Sequence, residues 1–336
     1  MLLQRNGLLK GSLKIAVALL SVAFFSVAVM ANIESDYAET PTTLISKIAP
    51  KENIYGKKLV IFYPSSMSDY SHGVIVWGNG STGSYENYDG DETYKRDGKP
   101  REATGNGILQ HLARWGFVVI ASDDGWCGDG ETIYLMAEYM FQRGNTPGDI
   151  FYNKLTDFAA VGHSQGAAGV INASFNSPNY PNSVISNVVC ISLPNDSINN
   201  FYQGVPDMSK VVVPCFFIRG NTASENDVST WDELINEHYN ETAPGAQAVA
   251  ASCLNFEHTD PCDAISSKRA KGVSGDSGAR IRGYLTAWLR WHLMSDVNAY
   301  NAFNGGTSAE IQYNDNWKCG ANDDGPDDEV RTKNLP

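Results

Sequence analysis

Short apolar runs rich in β-branched and aromatic residues recur along the chain with helical patterns between them, and this alternation constrains the fold more than any other feature. The runs are Lys58–Tyr63, Gly73–Trp77, Phe117–Ala121, Phe158–Gly162, Val184–Leu193, Val211–Ile218 and Ala246–Ser252. Several are apolar throughout, as strands covered on both faces are. Between them, Ile108, Leu109, Leu112 and Trp115 recur at helical spacing within Gly107–Trp115, and Thr132–Arg143, Gln165–Phe175, Thr230–Tyr239 and Gly278–Met294 read likewise. Strand–helix alternation is the pattern of parallel βαβ construction. It predicts one α/β domain over residues 32–302, with a mostly parallel, doubly wound sheet flanked by helices. Residues 303–336, rich in Gly, Asn and Asp, read as a C-terminal extension.

Residues 1–31 stand apart. Arg5, Lys10 and Lys14 precede an apolar run from Ile15 to Ala31, interrupted only by Ser21 and Ser26. Small residues at Val29 and Ala31, or at Ser26 and Ala28, suit cleavage of a signal peptide. An uncleaved anchor is the competing reading, because the run lies at the short edge of a membrane span. Cleavage predicts a secreted or periplasmic monomer with no stable membrane association. The 38 acidic side chains against 25 basic ones speak against a nucleic-acid partner, which needs clustered Lys and Arg. In an oxidising compartment the six cysteines suggest disulfides, and no Cys-x-x-Cys pair suggests zinc. Cys253 and Cys262 bracket a short segment and are expected to be bonded. Cys190 and Cys215 lie within apolar runs and read as buried thiols, whereas a Cys127–Cys319 pair stays open.

The segment FAAVGHSQGAAG carries the chemistry. Gly162-His163-Ser164-Gln165-Gly166 is a Gly-x-Ser-x-Gly motif between an apolar strand and a helix-forming stretch. A serine on a tight strand-to-helix turn needs small neighbours, and the turn lifts its hydroxyl clear of the sheet. That hydroxyl needs a base. His163 lies inside the turn, His111, His238 and His292 fall in helical patterns, and His72 precedes both a strand and the serine. His258, in the loop SCLNFEHTDPC after the last apolar run, remains. A carboxylate must fix its tautomer. The loop RGNTASENDVS offers Asp227, the first choice, and Glu225, the alternative; Asp260 ranks third, being too near His258. Backbone N–H groups of Gln165 and of Asn79, in the loop Gly78-Asn79-Gly80-Ser81-Thr82-Gly83, are the expected oxyanion donors, with Gly80 next after Asn79. Trp126 is a candidate for the substrate pocket. The acidic stretches Asp89-Gly90-Asp91 and 323–329 lack the spacing of a calcium loop and read as solvated turns, so no metal or cofactor is expected.

With these residues placed, the chain resembles the α/β-hydrolase superfamily, and within it the branch of bacterial cutinases, polyester hydrolases and dienelactone-hydrolase-like or chlorophyllase-like esterases. The resemblance covers most of residues 55–300 and rests on GVIVWGNGSTG, ILQHLARWGFVVIASD, VGHSQGAAG, VPCFFIRG and the His258 loop. It implies a Ser164–Asp227–His258 triad, because in polyester hydrolases the acid ends a Glu-Asn-Asp run, here Glu225-Asn226-Asp227. The aromatic pair that clamps aromatic polyesters in that branch has no counterpart at Asn79 or around Leu193-Pro194-Asn195. The expected activity is hydrolysis of carboxylic esters, small or polymeric, through an acyl-enzyme. A peptidase, an amidase, an acyltransferase on the same triad, or a silent binding scaffold are the alternatives.

Overall fold

In a computed structural model the apolar runs lie side by side as strands of one sheet. The structure describes residues 32–50, 56–81, 88, 95–96, 99–100, 107–175, 180–201, 204–258, 260–261, 277–304, 309–314, 317 and 330–336. The strands are β1 (Ile45–Ile48), β2 (Leu59–Pro64), β3 (His72–Gly78), β4 (Val118–Ser122), β5 (Leu155–His163), β6 (Ile185–Ile191), β7 (Cys215–Gly220), β8 (Ala248–Cys253) and β9 (Arg331–Lys333). Their order is β1-β2-β4-β3-β5-β6-β7-β8-β9. From β4 to β8 neighbouring strands run parallel, while β1, β2 and β9 pair antiparallel with their neighbours. One cross-strand row runs Val76, Ala160, Val188, Cys215, Ala248. Valine and alanine at such positions suit strands with no solvent face.

All the strands read from the sequence form, and β1 and β9 are added at the two edges. The run expected from Val211 begins only at Cys215. Pro214 has no N–H for a ladder, and Met208–Lys210 forms a 3-10 turn with Val211 N–H bonded to Met208 O at 3.0 Å.

Helices cover both faces. On one side lie α1 (Ile33–Ala38), α2 (Ile108–Arg114) and the later Ser277–Met294; on the other lie α3 (Glu131–Asn145) and α4 (Gln165–Ser174). Beyond β6 come α5 (Asp196–Phe201), α6 (Ala223–Asn226) and α7 (Trp231–Glu233), which continues as a π-helix over Leu234–Tyr239. The helix Ser277–Met294 is α8, followed by α9 (Val297–Tyr300) and α10 (Glu310–Tyr313). Buried Asn187 on β6 accepts from Trp288 Nε1 at 2.9 Å, so a polar strand position is matched by the helix packed on it.

The described residues near the end of the chain pack on the same core. Phe303, Ala309, Ile311, Trp317 and Val330 are buried in the α8-side core, and β9 pairs with β8. Trp317 Nε1 also donates to Glu34 Oε1 at 3.2 Å. Ile33–Pro336 form one compact unit.

No disulfide joins two described residues. Cys127, Cys190 and Cys215 carry buried free thiols, and burial pushes Cys127 up to about 12. Cys253 is buried at the end of β8, but its expected partner Cys262 lies outside the described residues, so the structure does not show that bridge. Cys319, residues 1–31 and the acidic stretches 89–91 and 323–329 also lie outside them. Among the described residues, no helix is long and apolar enough to cross a membrane.

Candidate active site

Four adjacent parallel strands each deliver one polar side chain to the same carboxyl edge of the sheet. Ser164 follows β5, Ser192 follows β6, Glu225 lies in α6 after β7, and His258 follows β8. The crevice beyond the carboxyl ends of such strands is where open α/β sheets bind ligands.

Ser164 occupies a backbone conformation that side chains seldom adopt, with φ 54° and ψ −128°. Neighbouring chain holds it there. Its N–H donates to Ile191 O at 2.9 Å, and its carbonyl accepts from Ala167 N–H at 2.8 Å. The two motif glycines are required by close approach. A Cβ on Gly162 would lie 2.1 Å from Gly166 O, and one on Gly166 would lie 2.4 Å from Gly78 O and 2.5 Å from Asn79 O. The turn after β5 thus presses directly on the loop after β3.

His258 Nε2 lies 3.0 Å from Ser164 Oγ. On the far side of the ring, His258 Nδ1 is 3.5 Å from Glu225 Oε1. Hydrogen bonds of catalytic groups are often long in an unliganded site and tighten when substrate binds. Glu225 is only 1 % exposed, and Ser192 Oγ–H donates to its Oε1 at 2.7 Å. A carboxylate so deep needs donors of this kind. The main chain of Phe256 also closes on this corner, since a Cβ on Gly220 would lie 1.9 Å from Phe256 O.

Glu225, not Asp227, is therefore the acid beside the histidine. Thr222 occupies the N-cap position of α6, and the helical phase that follows turns position 225 inward. Position 227 lies about 200° further round at helical spacing and is solvent-exposed. Asp260 is buried but accepts from the Glu257 N–H at 2.9 Å, within its own loop.

The N–H of Gln165 opens α4, and the first N–H groups of a helix have no partner within it. Gln165 itself is buried. Asn79 is held rigidly: its Nδ2 donates to Ser122 O and to Asp124 O, both at 2.8 Å. Gly80, the second choice for a loop donor, spends its N–H on Tyr88 Oη at 3.0 Å. Its Cα nevertheless runs beside Ser164, because a Cβ there would lie 3.3 Å from Ser164 Cβ. Trp126 sits on the loop after β4, at the same sheet edge, and is 56 % exposed.

Two participants are not among the candidates read from the sequence. Ser192 has no motif to mark it. His163 has one, being the second residue of the pentapeptide, but pattern alone assigns it no task. It is buried, its Nδ1 is 3.0 Å from Tyr88 Oη, and its Nε2 is 2.6 Å from His258 O. Burial, reinforced by the neighbouring His258, pushes its pKa down to about 3. His163 is therefore neutral at physiological pH.

Asp196, Glu237 and His238 bring possible metal-ligand atoms within 4.8 Å of one another. Glu237 Oε2 accepts from the main-chain N–H of Asp196 at 2.8 Å, and His238 Nε2 donates to Pro194 O at 3.0 Å. The group ties α5 to the π-helix.

Compared with known proteins, the chain matches no family model and no curated protein.

Proposed function

We propose that the chain is an exported serine hydrolase of the α/β-hydrolase kind that cleaves carboxylic esters. The observation that carries the reading is the 3.0 Å contact between Ser164 Oγ and His258 Nε2, backed by buried Glu225 on the other ring nitrogen. Nucleophile, base and acid follow one another in the order Ser, acid, His, as in that fold.

The geometry gives each group a task. His258 keeps a proton on Nδ1, facing Glu225, and presents the Nε2 lone pair to Ser164. As Ser164 Oγ attacks the ester carbonyl, its proton passes to Nε2. Glu225 stabilises the imidazolium, and Ser192 holds Glu225 in place. The oxyanion is met by the N–H groups of Gln165 and Asn79, each worth on the order of 10²–10³ in rate. Collapse expels the alcohol, which takes the proton from Nε2. Water then attacks the acyl-enzyme by the same route in reverse. Trp126 offers an apolar surface for the acyl or alcohol part. Residues 1–31, as a cleavable leader, would deliver the enzyme outside the cytoplasm.

A fluorophosphonate probe is expected to label the full chain on Ser164, with labelling lost in Ser164→Ala. Activity on p-nitrophenyl esters from acetate to palmitate is expected to exceed that on the matching anilides. A folded chain that resists the probe and turns over none of the panel would overturn the reading.

A further inference from the structure

A second polar chain connects the oxyanion loop to the base, and it runs through residues outside the triad. Gly80 N–H lies 3.0 Å from Tyr88 Oη, Tyr88 Oη lies 3.0 Å from His163 Nδ1, and His163 Nε2 lies 2.6 Å from the carbonyl oxygen of His258. Tyr88 and His163 are both buried, so each polar atom on them that lacks a partner is costly.

The direction of every link follows from what each atom can do. A carbonyl oxygen only accepts, so His163 carries its proton on Nε2. A neutral imidazole then has a bare lone pair on Nδ1, and Tyr88 must donate to it. Gly80 N–H in turn donates to the Tyr88 oxygen. The order is Gly80 N–H to Tyr88, Tyr88 O–H to His163, and His163 Nε2–H to His258 O.

We propose that Tyr88 and His163 are positioning residues that hold the main chain of the general base in register with the oxyanion loop, with His163 locked in its Nε2–H tautomer. The proposal rests on the ester-hydrolase reading of the site. Three further observations support it. The rings of Tyr88 and Trp77 have centroids 5.0 Å apart, which fixes the phenol against the β3 core. The rings of His163 and His258 lie 4.9 Å apart, so a change in one is felt by the other. The residue after His163 is the nucleophile, so a single turn carries Ser164 and the anchor of its base. The chain also selects the oxyanion donor. With Gly80 N–H committed to Tyr88, Asn79 remains of the two candidate loop donors.

The test uses the full chain labelled with ¹⁵N-histidine, and Tyr88→Phe. Long-range ¹H–¹⁵N spectra of the wild type, assigned with His163→Gln, are expected to show His163 protonated on Nε2 alone. Tyr88→Phe keeps the ring but leaves Nδ1 and Gly80 N–H without the hydroxyl. It is expected to leave the Nε2–H tautomer, which the His258 carbonyl sets, and to lower kcat on p-nitrophenyl acetate by about ten- to a hundred-fold with KM little changed, as a small misplacement of a catalytic group does. His163→Gln, which retains an N–H able to reach His258 O, is expected to keep at least about ten-fold more activity than His163→Leu. A wild-type His163 protonated on Nδ1 overturns the proposal whether or not any variant folds. Folded Tyr88→Phe with wild-type kcat, or equal rates for the Gln and Leu variants, overturns it too. Failure of the hydrolase reading is seen separately, as a wild-type chain that no fluorophosphonate labels.

Discussion

Glu225 and Asp227 are two residues apart, yet only one of them lies beside the imidazole. The choice follows from the phase of a helix four residues long, α6, which starts after Thr222 and turns position 225 inward. Glu225→Gln keeps the shape of the group but removes the charge that holds the His258 tautomer. It is expected to lower kcat by about 10⁴, the scale seen when a triad carboxylate becomes an amide. Asp227→Asn is expected to leave kcat within about two-fold, since surface changes away from special features do little. Steady-state kinetics on one p-nitrophenyl ester checks both, and the opposite ranking would restore Asp227 as the acid. Ser164 and His258 were readable because a motif and an elimination among six histidines pointed to them. The acid was not, because a one-turn helix carries no periodicity from which its phase can be read. Ser192 and Tyr88 are invisible to pattern for a different reason: each meets its partner only through tertiary contact, with no motif to mark it.

At the scale of elements, the turn after β5 and the loop after β3 behave as one part. Gly166 lies so close to the carbonyls of Gly78 and Asn79 that a methyl group has no room between main chains. Backbone cannot swing aside as a flexible side chain can. Gly166→Ala is therefore expected to cost about 1–3 kcal/mol in stability, the scale of overpacking. It should also displace Asn79 from the oxyanion position, lowering kcat by about 10² or more. Chemical denaturation together with single-turnover acylation separates the two effects. A variant with native stability and native acylation would mean that this contact does not set the geometry. The central strands and the long helices were legible because buried parallel strands are uniformly apolar and amphipathic helices are periodic. The edge strands β1 and β9 were not. Both are short and only partly buried, with Ser46, Lys47, Arg331, Thr332 and Lys333 among their residues, as suits a sheet margin.

At the scale of the whole molecule, buried titratable groups set the response to acid. Burial lowers His111, His163 and His292 to about 3 from the usual 6.5. Below 6.5 the unfolded chain takes up protons that these folded imidazoles refuse, so their contribution to stability falls as pH drops from about 6.5 towards 3. Glu310 acts the other way. Burial raises it from 4.5 to about 7, so the folded state keeps a proton that the unfolded chain releases, and its contribution falls as pH rises from 4.5 through 7. Three groups outweigh one. Calorimetry is expected to find a lower Tm at pH 5 than at pH 7, and Glu310→Gln is expected to steepen that fall by removing the opposing group. A Tm that rises towards pH 5 would contradict this balance.

β9 closes the sheet against β8, the strand that leads into the His258 loop. During synthesis β8 emerges long before its outer neighbour does. Throughout that interval its free amides and carbonyls form an open margin, able to recruit a strand from another nascent chain. Ordering of the margin that leads to His258 thus waits on residues 331–333, which lie far from it in the sequence. A ribosome stalled between these two strands would hold a chain with Ser164 already synthesised and one side of its sheet still unsealed.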